Sequence, residues 1–412
     1  MLADGRLTVL DGDILLPNMG IVPQRQLQNL HCTVNIVIHA ALSINLASRL
    51  SKVSNSIIGG SETVARFALA CQHLERFVFI STAYANAYLS HEPRVAGNTL
   101  DTVVEERVYS LSCLDGTNAG DEWATVRTHG SSAAFEAHNF PWPYAYAKHL
   151  TERLLMEMFQ DHGTREKLLI IRPSVIGPAQ SFPFPGYSVP LSTPSTVIGA
   201  SFALTPSLFA ILSTRLPDPG TQATTDEVPV DVVVDRILVH LAKGTVGPVH
   251  AVSGKRARMN LSVHWEGFVS TRRLPWSLRP VWTSLDWHSS QIHPIFKLYK
   301  IIGTSYNFLE GKTQTVWESL PDFERQNLQL FTDTAGDQLN WSWRRKGLEI
   351  CMTKMATRNT VAWLMLHLFY TSVPFYLRLL VIGAISGFGF GACYALKGST
   401  IRTLLRGFSH LA

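Results

Sequence analysis

The chain has 412 residues, which is enough for two domains or one enlarged domain, and its 46% hydrophobic and only 16% charged residues favour a globular protein with a membrane-associated portion. The net charge of +5 comes with no nucleic-acid-binding motif, so we expect no nucleic-acid partner. Five widely spaced cysteines and the lack of an apolar leader argue against a disulfide framework, a metal site and secretion, and favour a cytosol-facing body.

Apolar strands and amphipathic helices alternate along the first half of the chain. Strands that are apolar on both faces and alternate with helices predict a parallel α/β sheet. A polar stretch over residues 90–140 is too long for a simple connection, so we expect an insertion near a site. The predicted strands are residues 7–10, 34–38, 77–80 and 168–171, and the predicted helices are residues 24–30, 61–74 and 143–162.

Polar or turn residues follow each predicted strand. Ligands of parallel α/β sheets bind at the carboxyl ends of the strands, which meet along one edge. The residues at these ends are Asp13, His39, Thr82 and Pro173. The sequence therefore predicts a binding site along this edge of the sheet.

Tyr144 and Lys148 lie four residues apart at the start of the predicted helix 143–162. At that spacing both side chains lie on one face of the helix. A nearby cation favours the ionised phenol, so the pair predicts a lowered pKa for Tyr144. We interpret Tyr144 as a proton donor to a carbonyl oxygen that receives hydride.

Ordered blocks across the chain resemble the alcohol-forming fatty acyl-CoA reductases, extended short-chain dehydrogenases with a male-sterility-type NAD-binding domain. Ala147 stands where that family has Ser or Thr, and residues 331–354 resemble its smaller C-terminal domain. The blocks are V-N-I-V-I-H-A-A at 34–41, F-I-S-T-A-Y at 79–84, P-Y-A-Y-A-K-H-L-T-E at 143–152, R-P-S-V-I-G at 172–177 and V-P-V-D at 228–231.

The resemblance implies a Rossmann-like doubly wound parallel sheet followed by a small helical domain and a membrane segment. It places the NAD(P)-binding reductase domain at residues 1–265, the C-terminal domain at 266–358, and a hydrophobic membrane-associated segment with a basic tail at 359–412. The implied reaction is NADPH-dependent reduction of long-chain acyl-CoA to a primary alcohol through a bound aldehyde, with release of coenzyme A.

The same resemblance implies roles for individual residues. Tyr144 and Thr82 would donate hydrogen bonds to the carbonyl oxygen, and Lys148 would lower the phenol pKa and hold the nicotinamide ribose. Only one hydroxyl of Ser81 and Thr82 should face the carbonyl, because neighbouring strand residues point to opposite faces, and the resemblance favours Thr82. The implied cofactor neighbours are Asp13, Ile14, His39, Ala40, Ala41, Lys148, Pro173 and Val175.

Two of these residues have simpler alternatives. Asp13 also fits an ordinary turn aspartate, and His39 also fits a strand-end histidine whose hydrogen bonds are satisfied. One element of the family is missing, because no strand and glycine-rich phosphate-binding turn precede Leu7. We interpret the chain as truncated at its N-terminus, which would leave residues 7–10 without a neighbour in the sheet and expose the edge of strand 34–38.

The truncation leaves alternatives open: an inactive remnant or lipid-binding pseudoenzyme, or another extended short-chain dehydrogenase acting on sterols or sugars. Residues 379–396 carry no charge and approach the ~20 residues that span a bilayer. They predict a membrane segment, either a single span or a hairpin with residues 361–377. We expect membrane lipid as a partner and a location at the endoplasmic reticulum or peroxisome membrane. A homo-oligomer is compatible with the sequence.

Overall fold

The computed structural model describes residues 6–46, 48–91, 101–111, 118–292, 300–333 and 341–370. The strands in these residues are β1 (Ile36–His39), β2 (Arg76–Ile80), β3 (Thr102–Val104), β4 (Leu168–Pro173), β5 (Val175–Gly177), β6 (Phe209–Ser213), β7 (Thr224–Thr225), β8 (Glu227–Pro229), β9 (Gly247–Ala251), β10 (Met259–Asn260), β11 (Arg279–Thr283) and β12 (Tyr306–Phe308).

The α-helices are α1 (Gln24–Thr33), α2 (Leu50–Ser54), α3 (Gly60–Leu69), α4 (Ala119–His129), α5 (Ala133–Ala137), α6 (Pro143–Asp161), α7 (Pro194–Leu204), α8 (Pro219–Gln222), α9 (Val230–Ala242), α10 (Gly254–Ala257), α11 (Leu261–Ser270), α12 (Gly311–Glu318), α13 (Asp322–Asn327), α14 (Trp341–Ala356) and α15 (Thr360–Phe369). A π-helical segment, Asn55–Gly59, joins α2 to α3.

Four parallel strands form the main sheet in the order β1-β2-β4-β9. Side chains alternate between its two faces, because successive strand residues point in opposite directions. Phe77 and Phe79 pack under α3 and α6, whereas Val78 packs under α9 with Val232 and Val233. Helices therefore cover both faces, and the predicted Rossmann-like parallel α/β sheet is confirmed.

The strand predicted at residues 7–10 is wrong. These residues form no ladder, and Leu7 and Val9 are 50% and 73% exposed. An apolar tetrapeptide with no strand beside it cannot pair its backbone groups, so its pattern does not produce a strand. Strand β1 lies at the edge of the sheet with Ile36 and Ile38 about half exposed, which confirms the predicted open edge.

Helix α6 confirms the predicted helix at residues 143–162. It begins at Pro143, where a missing amide hydrogen costs nothing, and it ends at Asp161 before Gly163, which takes a left-handed φ of +70°. The predicted insertion contributes β3, α4 and α5. It is tied to the sheet because the guanidinium of Arg172 donates to the backbone oxygens of Glu105 and Arg107.

A second hydrophobic core unites helices α7, α11, α14 and α15 with the strand pair β6 and β11. Helices α7 and α11 approach closely, since a Cβ on Gly199 would lie 2.4 Å from the ring of Phe268. This core draws on residues before and after position 265, and the domain limits stay a prediction. It also buries Met365 and Leu368 of α15.

None of the helices among the described residues is both long and apolar enough to cross a bilayer. The predicted membrane segment at residues 379–396 lies outside the described residues.

Candidate active site

A cavity of about 490 Å³ lies between the carboxyl ends of the main-sheet strands and the second core. Its walls are mostly apolar side chains, including Val189, Val197 and Ile198, which suits an apolar ligand with a few fixed polar contacts. The structure brings six of the predicted site residues together on these walls: Ala40, Thr82, Tyr144, Lys148, Pro173 and Val175.

Lys148 is buried at the base of this cavity. Its ammonium donates to the Ile80 backbone oxygen at 2.6 Å and lies 5.8 Å from the centre of the Tyr144 ring. Burial lowers the pKa of Lys148 to about 7, an effect that the carboxylate of Glu152 opposes. The charge on Lys148 therefore changes near neutral pH.

Tyr144 is half-buried on the same face of α6. Burial raises the pKa of its phenol well above the ordinary value, because a phenolate loses hydration in this cavity. The expectation that Lys148 lowers the pKa of Tyr144 is therefore wrong for this structure. Tyr144 keeps its proton throughout the neutral range and is a hydrogen-bond donor there.

The two neighbouring hydroxyls of Ser81 and Thr82 have different partners. Ser81 Oγ donates to Oε1 of Glu152 at 2.5 Å, which is a short bond to a carboxylate. Within the described residues Thr82 Oγ1 makes only long contacts: it donates to the Pro173 backbone oxygen at 3.4 Å and accepts from the Tyr84 amide at 3.3 Å. Both residues line the cavity. Because the hydrogen bonds of Thr82 are longer and weaker than that of Ser81, its hydroxyl can turn more easily toward a ligand.

Glu152 and Arg172 form a buried ion pair beneath the cavity, and neither residue is among the site residues predicted from the sequence. Their side chains are 1% and 0% exposed, and Arg172 Nε donates to Oε1 of Glu152 at 2.9 Å. A signal was available, because Glu152 follows Lys148 by four residues and so shares its face of α6. The pair joins α6 to β4 and holds Ser81 in place.

The remaining predicted residues lie outside the cavity walls. His39 is buried, with Nε2 3.1 Å from Ser61 Oγ, and burial lowers its pKa to about 4, as expected for a satisfied, neutral histidine. Asp13 is exposed and its carboxylate accepts from the Leu15 amide at 2.9 Å, an ordinary Asx turn. Neither Ile14 nor Ala41 lines the cavity, so these four cofactor roles stay predictions.

The residues present fit the nicotinamide-ribose end of a dinucleotide. An ammonium has three donors, and among the described residues that of Lys148 uses one, at Ile80. Pro173 and Ala40 offer small walls at the strand ends. Two further buried hydroxyls on the wall, Ser195 Oγ and Thr225 Oγ1, have no partner within the described part of the chain and are available to a ligand.

Comparisons with known proteins point to one family. A family model described as "Male sterility protein", an NAD-binding domain, matches residues 2–237, more than half of the chain. The alcohol-forming fatty acyl-CoA reductase of Simmondsia chinensis is 27% identical over 278 residues, covering 62% of this chain and 54% of that protein. Fatty acyl-CoA reductase 2 of Homo sapiens is 27% identical over 244 residues, covering 57% and 42%.

The chain thus spans about half of the length of these curated relatives. Among solved structures, the terminal R domain from the myxalamid PKS-NRPS biosynthetic pathway superimposes with a TM-score of 0.53 at 14% identity, covering 86% of this chain and 77% of that one. At this identity the similarity establishes the fold alone.

Proposed function

This chain belongs to the male sterility protein family of NAD-binding domains, and we propose that it reduces long-chain fatty acyl-CoA to the primary alcohol with NADPH. The observation that carries the proposal is the apolar cavity whose base holds Tyr144, Lys148 and Thr82 at the carboxyl ends of parallel strands. The relatives at about 27% identity, which are fatty acyl-CoA reductases, support the substrate class.

A bound nicotinamide would supply hydride to the thioester carbonyl. Tyr144 would donate a hydrogen bond to the oxygen as its negative charge develops, and the Thr82 hydroxyl, turned from the Pro173 backbone oxygen, would donate a second; donors fixed by the protein lower the barrier at this step. The tetrahedral adduct would then collapse: its C–S bond breaks, the coenzyme A thiolate departs, and an aldehyde is formed. A second hydride, from a second NADPH that replaces the oxidised cofactor, would give an alkoxide; Tyr144 would protonate it and regain its own proton from solvent. The transfer is downhill, because an alkoxide is a stronger base than even the phenolate of a buried tyrosine.

Lys148 contributes to both reductions through its charge and its N–H groups. In its charged form it stabilises negative charge passing to Tyr144, and its unused N–H groups can hold the ribose hydroxyls. Because its pKa is near 7, we propose that cofactor binding, which brings phosphate and ribose oxygens, raises that pKa and restores the ammonium.

The cavity walls favour an acyl chain over a sugar. Val189, Val197 and Ile198 supply apolar surface, whereas recognition of a sugar needs a denser set of polar side chains. We also propose membrane attachment at the endoplasmic reticulum or peroxisome with the catalytic body facing the cytosol. The low charge content and the uncharged residues 379–396 support attachment to a membrane.

The test is to incubate the full chain with palmitoyl-CoA and NADPH and to measure alcohol, free coenzyme A and NADPH consumed, with two NADPH expected per alcohol. Replacing Tyr144→Phe should lower kcat by about 10²-fold or more while NADPH binding is kept. The matched control, Tyr187→Phe at the cavity rim, should keep its turnover. Absence of alcohol under these conditions, or equal turnover in Tyr144→Phe, would contradict the proposal.

A further inference from the structure

Residues 179–192, which we name the aromatic loop, form one side of the cavity entrance. Tyr187 and Val189 line the cavity and are also exposed to solvent, at 39% and 52%. Phe182 and Phe184 of the same loop are 76% and 55% exposed. The opening of an apolar cavity is therefore bordered by large apolar side chains in water.

Charge is absent from this part of the chain. No Asp, Glu, Lys, Arg or His occurs from residue 173 to residue 214, although 16% of the whole chain is charged. Exposed loops of a soluble protein usually carry charge, because it keeps their surface hydrated and prevents association. A surface without charge is suited to contact with an apolar phase.

The loop holds its aromatic side chains outward instead of collapsing onto the core. The carboxylate of Asp231 accepts hydrogen bonds from the backbone amides of Gln180, Ser181 and Phe182 at 3.1, 2.8 and 3.0 Å. The ring of Phe184 packs edge-on against Tyr187, with centroids 5.3 Å apart. The exposure of Phe182 is therefore a consequence of a hydrogen-bonded loop base.

Helix α14, which carries basic residues, lies beside the loop. Gly347 of α14 packs against its base, since a Cβ there would lie 3.0 Å from Pro178 Cγ and 3.5 Å from the Gly186 backbone oxygen. The two residues before Gly347 are Arg345 and Lys346; both are exposed, and Arg345 Nε lies 3.6 Å from Oε1 of Glu349 one turn along the helix. Exposed aromatic residues combined with basic residues are the composition of surfaces that bind the interface of anionic membranes.

We propose that the aromatic loop docks on the surface of a bilayer containing anionic phospholipid, so that the cavity opens toward the membrane and receives the acyl chain there. The acyl-chain part rests on the proposed function, whereas the docking does not. A protein partner fits less well, because a stable protein interface buries about 800 Å² on each side. Contact with a membrane interface needs no such minimum, because its strength scales with the apolar area inserted plus the attraction to anionic lipid.

The docking is tested on the full chain reconstituted with vesicles of phosphatidylcholine and phosphatidylserine. In Phe182→Trp, the fluorescence added to that of the ten native tryptophans should be quenched by brominated acyl chains. Phe323→Trp is the matched control, because Phe323 is also 76% exposed but lies on α13 outside the loop, and it should show no added quenching. Equal quenching of both variants, or none in Phe182→Trp while the chain floats with the vesicles, overturns the proposal.

A second variant separates docking from catalysis. Phe182→Ser with Phe184→Ser should raise the apparent KM for acyl-CoA presented in vesicles about tenfold, equivalent to about 1.4 kcal/mol, with kcat unchanged. Phe323→Ser should leave both constants unchanged. If the chain reduces no acyl-CoA, the proposed function fails while the quenching result still decides the docking. An emission shift of Phe182→Trp that depends on protein concentration without vesicles would indicate a second copy instead, and would also overturn the proposal.

Discussion

Replacing Glu152→Gln tests the importance of the buried ion pair beneath the cavity. The substitution preserves shape but leaves the guanidinium of Arg172, which is 0% exposed, without its counter-charge. Removal of one partner from a buried pair costs about 3–5 kcal/mol, because the remaining charge stays desolvated. Because the free energy of unfolding of a domain is only about 5–15 kcal/mol, we expect a large fall in the urea concentration at the unfolding midpoint. Tryptophan fluorescence measures that midpoint.

The matched control is Glu105→Gln, which breaks a pair with Arg107 at 2.6 Å whose two side chains are more than half exposed. An exposed pair contributes less than about 1 kcal/mol, so this midpoint should hardly move. The double variant Glu152→Met with Arg172→Met removes both charges and should be more stable than Glu152→Met alone. A loss below about 1 kcal/mol in Glu152→Gln, or a double variant less stable than the single, would refute the reasoning.

Three further predictions concern the site and the second core. Lys148→Met should abolish turnover yet raise the free energy of unfolding by about 2 kcal/mol at pH 6, measured by urea unfolding. The charged lysine is costly because its pKa is about 7 when folded and 10.5 when unfolded, and each pKa unit corresponds to about 1.4 kcal/mol, less the cost of leaving the Ile80 carbonyl unpaired. The gain should shrink as the pH rises from 7 to 10, because the lysine loses its charge in the folded state over that range. Thr82→Val should lower kcat about 10-fold or more in the alcohol assay, whereas Ser81→Ala should mainly cost about 1 kcal/mol of stability; the reverse pattern would exchange their roles. Gly199→Ala should destabilise by about 1–2 kcal/mol in thermal unfolding although alanine favours helix, because its Cβ meets the Phe268 ring; a gain would contradict the close packing.

Local patterns were enough to locate much of the sheet and the main site helix. Residues 77–80 and 168–171 are apolar on both faces, and such runs form buried parallel strands wherever neighbours exist. The same kind of run at residues 7–10 failed because pairing depends on a neighbour that the run itself does not contain. An apolar run therefore favours a strand, but the strand forms only where a neighbouring strand pairs with its backbone.

The sequence alone determined that Tyr144 and Lys148 share a helix face, because a spacing of four residues has one geometric outcome in a helix. Only the tertiary structure decided their ionisation, since desolvation depends on everything packed around them, and here burial is the main cause of both pKa shifts. It also decided the partner of Ser81, because Glu152 lies 71 positions away along the chain. Helix and strand periodicity depends on residues close together in the sequence, whereas burial and hydrogen-bond partners depend on contacts between residues far apart in it.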